Sequence, residues 1–189
     1  MTARPHTRGF TLIELMVALA IAAILLLIAG PSFTTFLRNS EIRSTSESLL
    51  NGLKAATAEA ANRNRTVTFE LTSATASDWK FWVLEDDGVT QKILQTYSKN
   101  EAGSSSKITV TPAGQLAVKF NGLGRVTIDP VNPDDHIRQI DITSVVAGEA
   151  RPLRIIVDDP APPAAGRPRG LRLCDPDPAL AALSDPRAC

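Results

Sequence analysis

Three regimes of apolar and polar positions divide the chain. From Phe10 to Pro31 almost every residue is apolar, and Glu14 is followed by 23 uncharged residues, Leu15 to Leu37. At about 1.5 Å of rise per residue, roughly 20 apolar residues cross a bilayer core, so residues 10–31 are predicted as a membrane-spanning helical segment. From Ser32 to Asn64 the pattern becomes amphipathic. Leu49, Leu53, Ala56 and Ala60 follow one another at spacings of four, three and four, with charges from Arg38 to Glu59 distributed around the rest. Asn62 and Asn64 are expected to end this helix, which, if continuous from Phe10 to Arg63, is on the order of 80 Å long.

Beyond Arg65 the alternation is mostly of period two. Strands are predicted at 66–71, 79–84, 92–97, 107–111, 116–121, 125–128, 138–143 and 153–157, separated by turn chemistry such as Asp86-Asp87-Gly88, Ala113-Gly114, Asn121-Gly122 and Asn132-Pro133-Asp134. The predicted class is α+β: a long N-terminal helix, transmembrane then amphipathic, packed on an antiparallel β-sheet domain over residues 65–160. Trp79, Phe81 and Val83 share one face of their strand and Trp82 and Leu84 the other. This aromatic cluster reads as core packing rather than a ligand platform.

Charge changes the picture at the N-terminus. Arg4, His6 and Arg8 precede Gly9 with no acid among them, and a basic flank before an apolar segment keeps the N-terminus cytoplasmic. An ordinary secretory signal, cut near Ala22-Ala23 or Ala29-Gly30, is the plainer alternative. Glu14 argues against it, because a carboxylate at membrane depth costs roughly 2.5–3.5 kcal/mol and calls for a partner. Cleavage between Gly9 and Phe10 creates such a partner, the new amine of Phe10.

The stretch Gly9-Phe10-Thr11-Leu12-Ile13-Glu14-Leu15-Met16, with Pro31 after Gly30, resembles the class III signal of type IV pilins and type II secretion pseudopilins. The resemblance implies a leader at residues 1–9 removed by prepilin peptidase, N-methylation of Phe10, and use of Glu14 in docking the subunit into a helical filament of other pilins or pseudopilins. It also implies a single-pass protein of the bacterial inner membrane with a periplasmic domain, entering a pilus or pseudopilus on assembly. The Phe120-Asn121-Gly122-Leu123-Gly124-Arg125 turn and the Gly-Arg-rich end before a cysteine are similar to the GspH/FimT family of minor pseudopilins. Gly30-Pro31 removes a backbone donor and permits a kink or a membrane exit.

The C-terminal tail, 161–189, follows a Pro-rich connector with Gly166-Arg167-Pro168-Arg169-Gly170-Leu171-Arg172-Leu173-Cys174. Pro168 and the glycines disfavour a helix, so an exposed loop or hairpin is expected, with Arg167 and Arg169 pointing the same way if extended. Arginine forks suit phosphate oxygens. Gly166-Arg167-Pro168-Arg169 is also similar to the Gly-Arg-x-Arg signature of DNA-binding FimT-type pilins that serve natural transformation; Arg172 joins the candidates by proximity. Lys119, Arg125, Arg151 and Arg154 extend the basic surface if the fold gathers them, while Asp158, Asp159, Asp175 and Asp177 oppose it. Few aromatics lie nearby, so contact with double-stranded DNA is expected through its backbone.

The two cysteines, Cys174 and Cys189, are both placed outside the membrane, where an oxidising compartment favours an intrachain disulfide worth about 3 kcal/mol; a bridge between chains is the alternative. Without the leader the chain holds 18 basic and 20 acidic residues, a formal −2, so no global field draws it to nucleic acid. No cofactor or metal is expected: two cysteines and two distant histidines lack zinc spacing, and Asp134-Asp135 and Asp158-Asp159 lack a calcium loop. His136 in a polar loop reads as a solvated or turn histidine. No nucleophile or base motif stands out, so the chain is expected to be no enzyme. Two functions remain: a FimT-like minor pilin that helps assembly and binds DNA, or a GspH-like minor pseudopilin of type II secretion with a purely structural role.

Overall fold

The computed structural model describes residues 9–75, 77–98, 106–146, 150–158, 170–182, 185 and 187–189. The chain divides into two compact units, Met1–Leu37 and Arg38–Cys189. Helix α1, Leu12–Arg63, begins in the first and ends in the second.

In the first unit α1 opens with a capping box. Thr11 donates its N–H and its hydroxyl to Glu14 Oε2 at 2.8 and 2.9 Å, and its hydroxyl oxygen accepts the Glu14 N–H at 3.3 Å. The large apolar side chains from Leu12 to Leu27 are all exposed. A helix apolar on every side is stable in lipid or among other helices, not in water. Among the described residues no single helix is long and apolar enough to cross a membrane, although Leu12–Leu27 and Ser32–Arg63 together have the length and composition. Gly30 and Pro31 lie at the junction of those two stretches.

The second unit is built on the buried stripe of α1. Leu49, Leu53, Ala56 and Ala60 are fully buried, and the stripe extends back through Ser46 and Thr45 to Ile42. Small residues let a sheet approach closely: a Cβ at Gly52 would lie 2.8 Å from the Trp79 ring. The helix stops at Asn64, whose φ of 49° is a left-handed terminating conformation, and the Arg65 N–H returns to the Ala60 carbonyl at 3.2 Å.

Eight strands follow: β1 (Val67–Leu71), β2 (Trp79–Leu84), β3 (Gln91–Tyr97), β4 (Ser106–Thr111), β5 (Ala117–Phe120), β6 (Gln139–Ser144), β7 (Leu153–Ile156) and β8 (Arg172–Cys174); a short helix α2 spans Pro178–Ala182. They form two antiparallel four-stranded sheets, ordered β3-β2-β1-β5 and β4-β6-β7-β8. Phe69 sits opposite Phe81 on one side and Val118 on the other. The alternation in β2 is as the pattern requires: Trp79, Phe81 and Val83 are buried, whereas Trp82 is half-buried and Leu84 exposed. Trp79 stacks on Phe81 and Tyr97 and tilts against Phe69. The aromatics are therefore core. Ile137, fully buried, donates its N–H to the Ala117 carbonyl at 2.9 Å just before β6 begins, tying the two sheets together. In the β2–β3 turn, the Thr90 hydroxyl and then the Val89 and Thr90 amides hold the Asp87 carboxyl below its ordinary range.

Two sequence expectations need correction and one is narrowed. Residues 125–128 form no strand beyond an isolated bridge between Phe120 and Val126, because Gly124 with φ of 70° and the Asn121 side chain keep the chain in a turn. Residues 172–174, expected in an exposed loop or hairpin, are the edge strand β8, antiparallel to β7, so the hairpin alternative describes them and the tail completes the second sheet. His136 is not solvated: it is 3% exposed, because the buried approach to β6 begins one residue after Asp135.

Candidate functional site

Two turns and one strand entry make a groove of about 740 Å³ at the C-terminal end of α1, lined by Thr57, Phe120, Gly124, Arg125, Val126, Val157, Asp158, Gly170 and Leu171. Asn121 builds its first wall. Its side-chain oxygen accepts the Leu123 and Arg125 N–H groups at 3.0 and 3.1 Å, which curls residues 121–125 over the helix. The fit is close: a Cβ at Gly124 would lie 3.0 Å from Thr57 Cγ2, and one at Gly122 would lie 2.4 Å from Asn64 Oδ1. The opposite wall is the end of β7 and the entry to β8, where Gly170 takes φ of 120°. Arg167 and Arg169 lie outside the described residues; Gly170 and Leu171, next in the chain, are part of the groove.

The fold sorts the four auxiliary cations. Arg125 is exposed on the groove wall and makes no side-chain ion pair among the described residues. Arg154 is spent on Asp141, its Nε 2.6 Å from Oδ1 with both side chains mostly covered. Lys119, opposite Thr68, lines another depression with Trp82 and Leu84. Arg151 donates its N–H to Asn39, far along α1 from Thr57. Arg172, opposite Ile156 in β8, is partly buried and already holds a polar interaction. A further cavity of about 430 Å³ gathers Arg63, Arg65 and Lys92, but Glu85, Asp86 and Asp87 line it too and Arg65 pairs with Asp86 at 2.8 Å, so its charges largely cancel.

The described acids near the tail are likewise occupied, and Asp159 lies outside the described residues. Asp158 faces His136, with Oδ2 3.4 Å from Nε2. Asp175 accepts the Asp177 N–H at 3.0 Å, and Asp177 caps α2 through the Ala179 N–H at 2.9 Å. No group of three or more metal-ligating side chains occurs among the described residues.

Cys174 and Cys189 form a disulfide with 5.2 Å between their Cα atoms. Around it the tail doubles back: the Asp175 N–H reaches the Arg187 carbonyl at 2.7 Å and the Cys189 N–H reaches the Asp175 carbonyl at 3.0 Å. Hydrogen bonding from the Arg187 side chain, then from its backbone, holds the Asp185 carboxyl at about 2. A folded-state value below the ordinary 3.8 means that this clasp contributes stability above about pH 4 and loses it as pH falls towards 2. Carboxyl NMR is expected to show Asp185 half-titrated near 2, moving back towards the ordinary range in Arg187→Ala. An unshifted carboxyl in the unaltered chain contradicts the clasp.

At the N-terminus, Gly9 and Phe10 are exposed and precede the capping box in which Glu14 takes part. Comparison with known proteins places family matches at the N-terminus and over most of the globular domain, neither of them reaching the tail beyond residue 160. Residues 4–30 match the prokaryotic N-terminal methylation motif, and residues 45–160 match the family described as type II transport protein GspH. No curated protein matches significantly. Two crystal structures of the type IV minor pilin FimU of Pseudomonas aeruginosa are similar. One has a TM-score of 0.50 at 18% identity, covering 65% of this chain and 85% of that one. The other has a TM-score of 0.48 at 19% identity, covering 69% and 90%. At such identity the first likeness shows the fold alone.

Proposed function

The chain belongs to the GspH family, a group of minor type IV pilins and related pseudopilins, and from that premise we propose that it is a FimT-like minor pilin that binds duplex DNA. In this reading prepilin peptidase cuts between Gly9 and Phe10, Phe10 is N-methylated, and residues 10–31 anchor the chain in the bacterial inner membrane before assembly with other pilins. Glu14 then pairs with the Phe10 amine of its own or a neighbouring subunit. The new charge pair answers the cost of a carboxylate at membrane depth.

DNA contact rests on one observation above others. The Gly166-Arg167-Pro168-Arg169 sequence leads directly into Gly170 and Leu171, which line the groove carrying Arg125. Arg167 and Arg169 supply the principal phosphate contacts and Arg125 adds a third, while Arg172, held in β8, contributes less. The Cys174–Cys189 bond and the Asp175 ladder fix the strand that follows the arginines, which lowers the ordering cost of binding. With about three phosphate contacts, affinity is expected to fall about forty-fold between 50 and 200 mM salt.

Duplex binding by the full chain in detergent micelles at those two salt concentrations is the test. Absence of binding at low salt favours the second reading, a GspH-like pseudopilin of type II secretion with a structural role, to which the family match itself points. Processing is tested separately. Co-expression with prepilin peptidase is expected to yield a chain beginning at N-methylated Phe10 by mass spectrometry. Glu14→Ala is expected to leave cutting intact but to remove the subunit from filaments, and an unchanged filament content contradicts the role of Glu14.

A further inference from the structure

The groove contains a contradiction that His136 resolves. Asp158 and Arg125 line the same cavity, yet no ion pair joins them, and an uncompensated carboxylate there would repel the phosphates that Arg125 attracts. His136 is buried, its side chain 4% exposed, and does not line the groove. Its Nε2 lies 3.4 Å from Asp158 Oδ2. A carboxylate only accepts, so the ring must donate there through Nε2–H. The backbone supports this aim: the Val157 and Asp158 N–H groups both reach the Arg138 carbonyl, at 2.8 and 3.2 Å, two residues beyond His136. On the same backbone Arg138 pairs with Asp134 and donates to the Pro133 carbonyl at 3.2 Å.

We infer that His136 is a positioning residue that anchors the Asp158 carboxylate on the groove wall, so that it does not turn to pair with Arg125 and Arg125 sets the charge an entering phosphate group meets. The inference rests on the DNA-binding reading for its biological ligand, but the anion subsite it describes is a property of the groove. Two consequences separate it from a packing role for the histidine. Losing the imidazole releases Asp158 to neutralise Arg125, and removing the Asp158 charge then cancels the loss.

The test measures two ligands with the full chain in micelles: duplex DNA by titration at low salt, and inorganic phosphate by its shifts of the Arg125 and Gly170 backbone amides. His136→Ala is expected to weaken both by about five-fold, the size of one contact between unit charges about 4 Å apart in water. Asp158→Asn in that background is expected to restore them, and His136→Gln, which keeps a donor for Asp158, to retain them. Thermal unfolding of each variant identifies any that fail to fold, in which case the Gln variant and the Asp158→Asn single change carry the comparison. If His136→Ala binds normally, or if Asp158→Asn fails to restore it in a folded double variant, the inference is overturned. Phosphate shifts without duplex binding uphold the groove assignment and sink the DNA reading; absence of phosphate shifts in the unaltered chain overturns the inference whatever DNA does.

Discussion

Changing Arg167 and Arg169 together to alanine is expected to remove measurable duplex binding at 200 mM salt and to flatten its salt dependence by about 1.8 in log–log slope, the share of two phosphate contacts. The effect is large because so few contacts carry the affinity. The chain has equal numbers of basic and acidic residues, so no distributed field compensates for their loss. Two controls make the outcome informative. Arg154→Ala is expected to leave binding unchanged, since that guanidinium is committed to Asp141, whereas Arg125→Ala is expected to lower the slope by about 0.9. Titration of the variants over a range of salt reads all three. Undiminished binding by the double variant would move the interface elsewhere, and equal losses from Arg125 and Arg154 would indicate a diffuse charge effect rather than a site.

Phe69→Ala is expected to cost the globular unit about 3–5 kcal/mol, the range for a large aromatic removed from a packed core. Phe69 is fully buried in β1, a central strand, facing Phe81 and Val118 across the two ladders, with its ring 5.7 Å from that of Trp79. Few nearby side chains can collapse into the space, because Trp79 is itself held against Gly52 and stacked between Phe81 and Tyr97. Against a typical total of about 5–15 kcal/mol, such a loss brings the domain close to unfolding. Trp82→Ala, on the half-buried face of the same sheet, is expected to cost less despite the larger side chain. Urea midpoints of the two variants decide it. Equal midpoints would mean that the second face of the sheet is as tightly packed as the first.

Much of the architecture was legible because it follows from local periodicity. The stripe through Leu49, Leu53, Ala56 and Ala60 names the buried face of α1, and the alternation Trp79-Phe81-Val83 names the core face of β2. Asn64 ends the helix where an asparagine tolerates a left-handed backbone. What was misread or left open has long-range causes. His136 stands among Asn132, Pro133, Asp134 and Asp135, so its neighbours in sequence are polar, while its burial comes from Ile137 reaching β5 and from Asp158 beyond β7. Strand β8 holds only three residues and exists because β7 offers an edge. The sorting of Arg125 from Arg154 depends on where Asp141 falls in the register, Asp141 facing Arg154 across β6 and β7.

The sequence by itself determined the apolar N-terminal segment with its single carboxylate, the amphipathic helix, the class of the domain and the arginines and cysteines of the tail, since each is written in the spacing of neighbouring residues. Only the tertiary structure decided that the strands divide into two sheets, that Arg125 shares a groove with Gly170, and that Asp158 is held by a buried histidine. Those outcomes are set by which distant backbones pair. Hydrogen-bond register and burial are properties of the assembled layers and leave no mark on local hydrophobic spacing.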